Sequence, residues 1–157
     1  TNSGDTWAAA NTGLTELRVE ALAIDPSSSG TLYSGTYSSG VFKSSNSGDT
    51  WTAANTGLTN LRIHALAIDP TTPARLYAGT YGGGVFHSFN GGGTWAAMNS
   101  GLTSLNISAL ALDSTGTDLY AAAFGGGVWQ LTLPWLFADG FDLGDACAWS
   151  ATVGGGC

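Results

Sequence analysis

An all-β fold built from three like units is what the sequence predicts, on three observations. Trp7, Trp51 and Trp95 recur every 44 residues, and Asn11, Asn55 and Asn99 keep the same interval as they open NTGL, NTGL and NSGL. Within each unit, short runs of Leu, Ile, Val and Ala alternate with clusters of Gly, Ser, Thr and Asn, as strands alternate with tight turns. The 24 glycines follow no Gly-X-Y period, so turn formation is the role left for them. A period in the low forties with several short strands per repeat fits one four-stranded β-propeller blade. The expected architecture is therefore three blades of four antiparallel strands over residues 1–132, followed by a non-repeat tail at 133–157.

The first strand of each unit falls near 18–25, 62–69 and 106–113, and Asp-Pro ends it in the first two copies. TLYSGTY, RLYAGTY and DLYAAAF form the second strand, and the glycine-rich tips SSG, GGG and GGG turn it into the third, GVFKS, GVFHS and GVWQL. A fourth, outermost strand begins at the Trp of TWTAAN and TWAAMN, with NTGL as the link to the next blade. One residue is missing between the second and third copies, since Tyr77 to Tyr120 is 43, and no helix is expected anywhere.

The stretch before each Trp reads Ser44-x-Asn46-x-Gly48-x-Thr50-Trp51 and Ser88-x-Asn90-x-Gly92-x-Thr94-Trp95, with a clipped copy, Asn2-x-Gly4-x-Thr6-Trp7. These segments resemble the Asp-box, or BNR, repeat of sialidases, xyloglucanases, sortilin-type receptors and photosystem assembly-factor-type propellers. The resemblance covers residues 1 to about 132 and implies a structural hairpin between the third and fourth strands of a blade; it is silent on substrate. Asn stands where Asp is usual at all three positions, but keeps the side-chain carbonyl that accepts turn N–H groups, so the turn should survive.

The units are circularly permuted: an outer strand comes first and a third strand last. The third blade lacks a fourth strand, while Thr6–Asn11 has the sequence of one and no earlier blade to complete. Propellers close with about four to eight blades. Either Thr6–Asn11 is exchanged between identical subunits, giving a six-bladed dimeric ring or an open fibre, or the chain is a piece of a longer propeller. In the first case the expected partner is the chain itself.

With 4 Lys and Arg against 11 Asp and Glu, the net charge is -7, which argues against a nucleic-acid or anionic-membrane partner. No run approaches the roughly 18 apolar residues of a membrane span. TNSGDTW is not a signal peptide, so any leader has been removed if the protein is secreted. Asp25, Asp69 and Asp113 recur at one blade position and are expected to cap the first strand. Equal environments do not split pKa values into an acid and a base, so no catalytic residue is expected. His64 and His87 each occur once and are expected at the surface. No metal set emerges, and the GGG tips are followed by strands rather than by a phosphate-binding helix, so no cofactor is expected.

The candidate binding residues are Tyr37, Tyr81 and Phe124, beside the hairpin tips, and Arg18, Arg62 and Asn106, in linkers on the same face. The aromatic rings could stack on a glycan or dock a peptide; packing against the neighbouring blade is the other role for them. Asn106-Ile107-Ser108 is formally a glycosylation sequon at a strand start. In the tail, Trp135, Phe137, Phe141 and Trp149 could cover the third blade or meet a neighbour, and Asp139, Asp142 and Asp145 fall short of a full calcium loop. FADGFDLGDACAWS resembles tails of secreted bacterial repeat proteins. Cys147 and Cys157 suit a disulfide, within or between chains, and hence an extracellular or periplasmic, bacterial location. The expected function is a secreted non-catalytic scaffold that self-assembles or binds; the alternatives are a lectin-like propeller and a piece of an Asp-box glycosidase.

Overall fold

The structure, a computed structural model, describes residues 6–133. Asn2, Gly4 and the tail with Cys147 and Cys157 lie outside the described residues. Among the described residues, eleven strands form three antiparallel sheets. The first holds β1 (Val19–Ile24), β2 (Leu32–Thr36), β3 (Val41–Ser44) and β4 (Thr52–Ala53) in sequence order. The second repeats it with β5 (Ile63–Ile68), β6 (Leu76–Thr80), β7 (Gly84–Ser88) and β8 (Ala96–Ala97). The third has β9 (Ile107–Leu112), β10 (Asp118–Ala123) and β11 (Gly127–Thr132). The first strands of successive sheets pack against one another, β1 on β5 and β5 on β9, so they form the inner side of the arc.

The core lies between sheets rather than within one. Tyr33 and Val41 of the first sheet meet Ile63, Leu76, Ala78, Phe86 and Trp95 of the second. One step on, Tyr77 and Val85 meet Ile107, Leu119, Ala121 and Ala123 of the third. Residues alternate along each strand, so each sheet presents one flank to the blade before it and the other to the blade after.

Each box closes on itself. Asn46 Oδ1 accepts the Ser44 hydroxyl at 2.9 Å and the Thr50 N–H at 3.0 Å, while Nδ2 donates to Thr50 Oγ1 at 2.9 Å. The Ser44 hydroxyl oxygen also accepts the Gly48 N–H at 3.0 Å. Ser88, Asn90, Gly92 and Thr94 reproduce this network. The amide loses nothing relative to a carboxylate at the accepting oxygen, and its N–H group supplies the link to the threonine.

Two expectations need correction. The fourth strands shrink to two residues, because the next linker residue leaves the ladder to clamp the hairpin tip. Asn55 Oδ1 accepts the Val41 N–H at 2.7 Å and Nδ2 donates to Ser39 O at 2.9 Å; Asn99 does the same with Val85 and Gly83. The clamp requires glycine at the tip: Gly84 has φ +76°, and a Cβ there would lie 2.1 Å from Asn99 Oδ1. Residues Thr6–Asn11, expected to be a strand, form none, and among the described residues no third strand lies beside them. Trp7 is fully exposed there.

The aspartates behave as caps. Asp25 Oδ1 and Asp69 Oδ1 each accept two backbone N–H groups and a hydroxyl from the turn that follows. The Asp118 N–H, then the Thr115 hydroxyl, hold the Asp113 carboxyl well below the usual carboxylate range.

Two outcomes are expected. Asn99→Ala leaves the Val85 N–H and the Gly83 carbonyl without their partner and should lower stability by about 1–3 kcal/mol in urea unfolding. A folded-state pKa below the unfolded value gives stabilisation that is present above about pH 4 and lost as the pH falls through that range. Asp113→Asn should therefore be less stable than the wild type at pH 7, with the gap closing below about pH 4. Urea midpoints across that range check it, and a gap independent of pH would contradict it.

Candidate functional site

Arg18, Arg62 and Asn106 each stand one residue before an inner strand, and Tyr37, Tyr81 and Phe124 each stand one residue after a second strand. A repeated backbone bond joins them in pairs: Tyr37 N–H to Arg18 O at 3.0 Å, Tyr81 N–H to Arg62 O at 3.0 Å, and Phe124 N–H to Asn106 O at 2.8 Å. Strand ends thus place a linker residue and an aromatic ring side by side on one face in every blade.

The side chains extend this into a continuous stack. The Arg18 guanidinium carbon lies 3.7 Å from the Tyr37 ring centroid. Arg62 reaches across the blade boundary and sits 4.4 Å from Tyr37 and 4.0 Å from Tyr81, between the two rings. Beyond Tyr81 the row continues in aromatic contacts: His64 at 5.6 Å from Tyr81 and 6.1 Å from Phe124, and Tyr81 at 6.4 Å from Phe124. Tyr37 is half-buried by its two arginines, whereas Tyr81 and Phe124 remain 41% and 55% exposed. Of the six expected residues, five join the stack. Asn106 contributes its backbone and no ring or cation, so Phe124 has no guanidinium over it among the described residues.

The two arginines differ in electrostatics. Arg18 donates from Nε to Glu20 at 2.7 Å and is largely exposed. Glu16, beside it, accepts the Ser38 hydroxyl at 2.6 Å and the Arg18 N–H at 2.9 Å, and these bonds hold its carboxyl below the ordinary value. Arg62 has no carboxylate within ion-pair distance among the described residues, and its Nε is buried without a hydrogen-bond partner. Its charge is held by two π faces instead, an arrangement favourable by about 0.5–2 kcal/mol. The His64 Nε2 beside it is likewise buried without a partner. The exposed faces of Tyr81 and Phe124 above them suit a ligand with a flat face.

His64 and His87 correct the expectation of surface histidines. Both are half-buried. His64 belongs to the stack, and His87 packs on Phe89 at 4.5 Å, where burial pushes its imidazole pKa down. His64 is the one member of the site that the sequence missed. Its position in the inner strand is occupied by Glu20 and Ser108 in the other units, and that inner-strand alternation was the signal available. Among the described residues, no group of three His, Cys, Asp or Glu side chains could hold a metal ion.

Neither a protein-family profile nor a curated protein sequence matches the chain. Solved structures do. A GH74 enzyme from Niastella koreensis is 29% identical at a TM-score of 0.63, over 72% of this chain and 20% of that one. PorZ, a bacterial surface component of the type-IX secretion system of Porphyromonas gingivalis, is 19% identical at 0.64, over 82% of this chain and 20% of that one. YCF48, solved with a bound peptide, is 11% identical at 0.62, over 78% of this chain and 40% of that one. The chain thus spans a fifth to two fifths of the length of these proteins. The likeness supports the reading of the sheets as β-propeller blades.

Arg62→Ala should cost about 1–2 kcal/mol in urea unfolding by emptying the space between the two rings. Arg62→Lys should recover only part of that loss, because an ammonium lacks the planar face that stacks. Equal stability of all three forms would show that the stack contributes nothing.

Proposed function

We propose that this chain is a secreted, non-catalytic propeller scaffold of the Asp-box type that assembles with copies of itself by exchanging Thr6–Asn11. One observation carries the reading: the outer flanks of the first and third sheets are made of residues whose repeat equivalents are core. Val19, Leu22 and Ile24 are 43%, 61% and 55% exposed, whereas Ile63, Leu66 and Ile68 pack in the cluster between the first two sheets. Val128 is 72% and Tyr120 37% exposed, whereas Val85 and Tyr77 are 2% and 1% exposed. Exposed apolar flanks of this kind mark interaction surfaces. Each flank already has its complement inside the chain, since the second sheet covers residues equivalent to one with residues equivalent to the other.

A second reading concerns the stacked face, which suits a glycan or a peptide. Its support is the row of Arg62, Tyr81, His64 and Phe124, in which both Tyr81 and Phe124 stay exposed. A third, that the chain is a piece of a glycosidase, draws on the GH74 likeness.

Light scattering combined with negative-stain electron microscopy tests the first reading: discrete dimers or long fibres are expected, and a well-folded monomer at all concentrations would refute it. Binding on glycan or peptide arrays that disappears in Tyr81→Ala would support the second. Hydrolysis of xyloglucan by the chain alone would refute the non-catalytic assignment.

A further inference from the structure

We propose that the cavity between the second and third blades is a socket for the Trp7 side chain of a second copy of this chain; this rests on the self-assembly reading above. The template lies twice in the same molecule. Trp95 fills a socket of Val41, Ala54, Leu58, Leu76, Ala78 and Phe86 and is 5% exposed. Its N–H donates to Thr56 O and its indole Nε1 to Ala54 O, each at 2.8 Å. Trp51 is held in the same way by Thr12 O at 2.8 Å and Ala10 O at 2.9 Å, and is 8% exposed. In both, the tryptophan carbonyl lies against a linker glycine with positive φ: a Cβ on Gly57 would meet Trp95 O at 2.1 Å, and one on Gly13 would meet Trp51 O at 2.2 Å.

The next repeat of that socket holds no counterpart of Trp95 among the described residues, although Trp129 lines it where Phe86 lines the first. Val85, Met98, Leu102, Leu119, Ala121 and Trp129 occupy the six equivalent positions and line a cavity of about 120 Å³. Gly101, the equivalent of Gly57, has φ +86° and, among the described residues, nothing within 4 Å of its would-be Cβ. The sequence offers no tryptophan at the matching place downstream, where Ala138 and Asp139 stand. Trp7 is the remaining member of the 44-residue series and is fully exposed. Among the described residues, one socket holds no counterpart of Trp95, and Trp7 is exposed.

Two further features fit the same occupant. By the repeat, Trp7 Nε1 would donate to Met98 O and its N–H to Ser100 O. Asn11, the exposed equivalent of Asn55 and Asn99, would clamp Gly126 O and the Val128 N–H; Gly127 at that tip has φ +76° and nothing within 4 Å among the described residues. The contact is heterologous, plug on one end and socket on the other, so copies join head to tail.

The experiment compares the wild type with Trp7→Ala by light scattering across concentration. A labelled peptide of residues 1–13 is also titrated into the Trp7→Ala chain. Because Trp7 is solvent-exposed, circular dichroism should show both chains equally folded. The expected result is a dissociation constant raised about thirtyfold or more in Trp7→Ala, the loss given by removing a buried tryptophan anchor. The peptide should bind, its own Trp7→Ala version should not, and Ala121→Leu, which fills the cavity, should block it. A wild type that assembles with Trp7→Ala unchanged overturns the plug and leaves self-assembly standing. Failure of the peptide to bind, as when a residue of the same chain already fills the cavity, overturns it too. A wild type that stays monomeric at every concentration overturns self-assembly and the plug together.

Discussion

The packing of each sheet's flank on the next is the interaction on which the arc depends. Each sheet alone is three or four short strands with two apolar flanks, too little to hold itself in water. Trp51 and Trp95 reinforce that packing from one repeat position. The backbone of each opens the outermost strand of its own blade. The ring fills the gap behind the preceding linker, and Nε1 reaches a carbonyl of that linker. One residue thus fixes strand order, linker path and blade spacing, and the box turn before it serves to aim the ring. Asn55 and Asn99 complete the lock from the other side by binding the tip of the hairpin just passed.

Much of this was legible in the sequence because the repeat keeps its spacing to within one residue. The inner strands land within a residue of the expected positions, and five of the six residues chosen on the binding face join one stack. What the sequence withheld depends on distances between blades rather than along the chain. That Arg62 lies over Tyr37 of the preceding blade as well as over Tyr81 follows from blade spacing, which no local pattern encodes. His64 was hidden because it breaks the repeat, and a singular residue in a periodic chain reads as surface variation. The two-residue fourth strands were overestimated because Asn55 and Asn99 satisfy polar groups at the hairpin tips and leave the ladder early to do so.

Charge is distributed with similar economy. The chain carries -7 overall with only four Lys and Arg residues, and three of them have polar partners nearby: Arg18 with Glu20, Arg75 with Asp69 at 3.6 Å, and Lys43 with Gly91 O at 3.0 Å. Arg62 is held by rings instead. A cation stabilised by quadrupoles keeps its hydrogen-bonding edge uncommitted, which an ion pair does not allow.

That Arg62 straddles a blade boundary has a thermodynamic consequence. Each rung of the stack is built from two consecutive blades, so a rung at a junction between copies would be shared, with Arg18 of one copy over Phe124 of the next. A ligand held at such a rung would bind the joined form more tightly than the separate one, and by linkage its presence would lower the concentration at which copies join. Occupancy and oligomer size would then be two readings of one equilibrium.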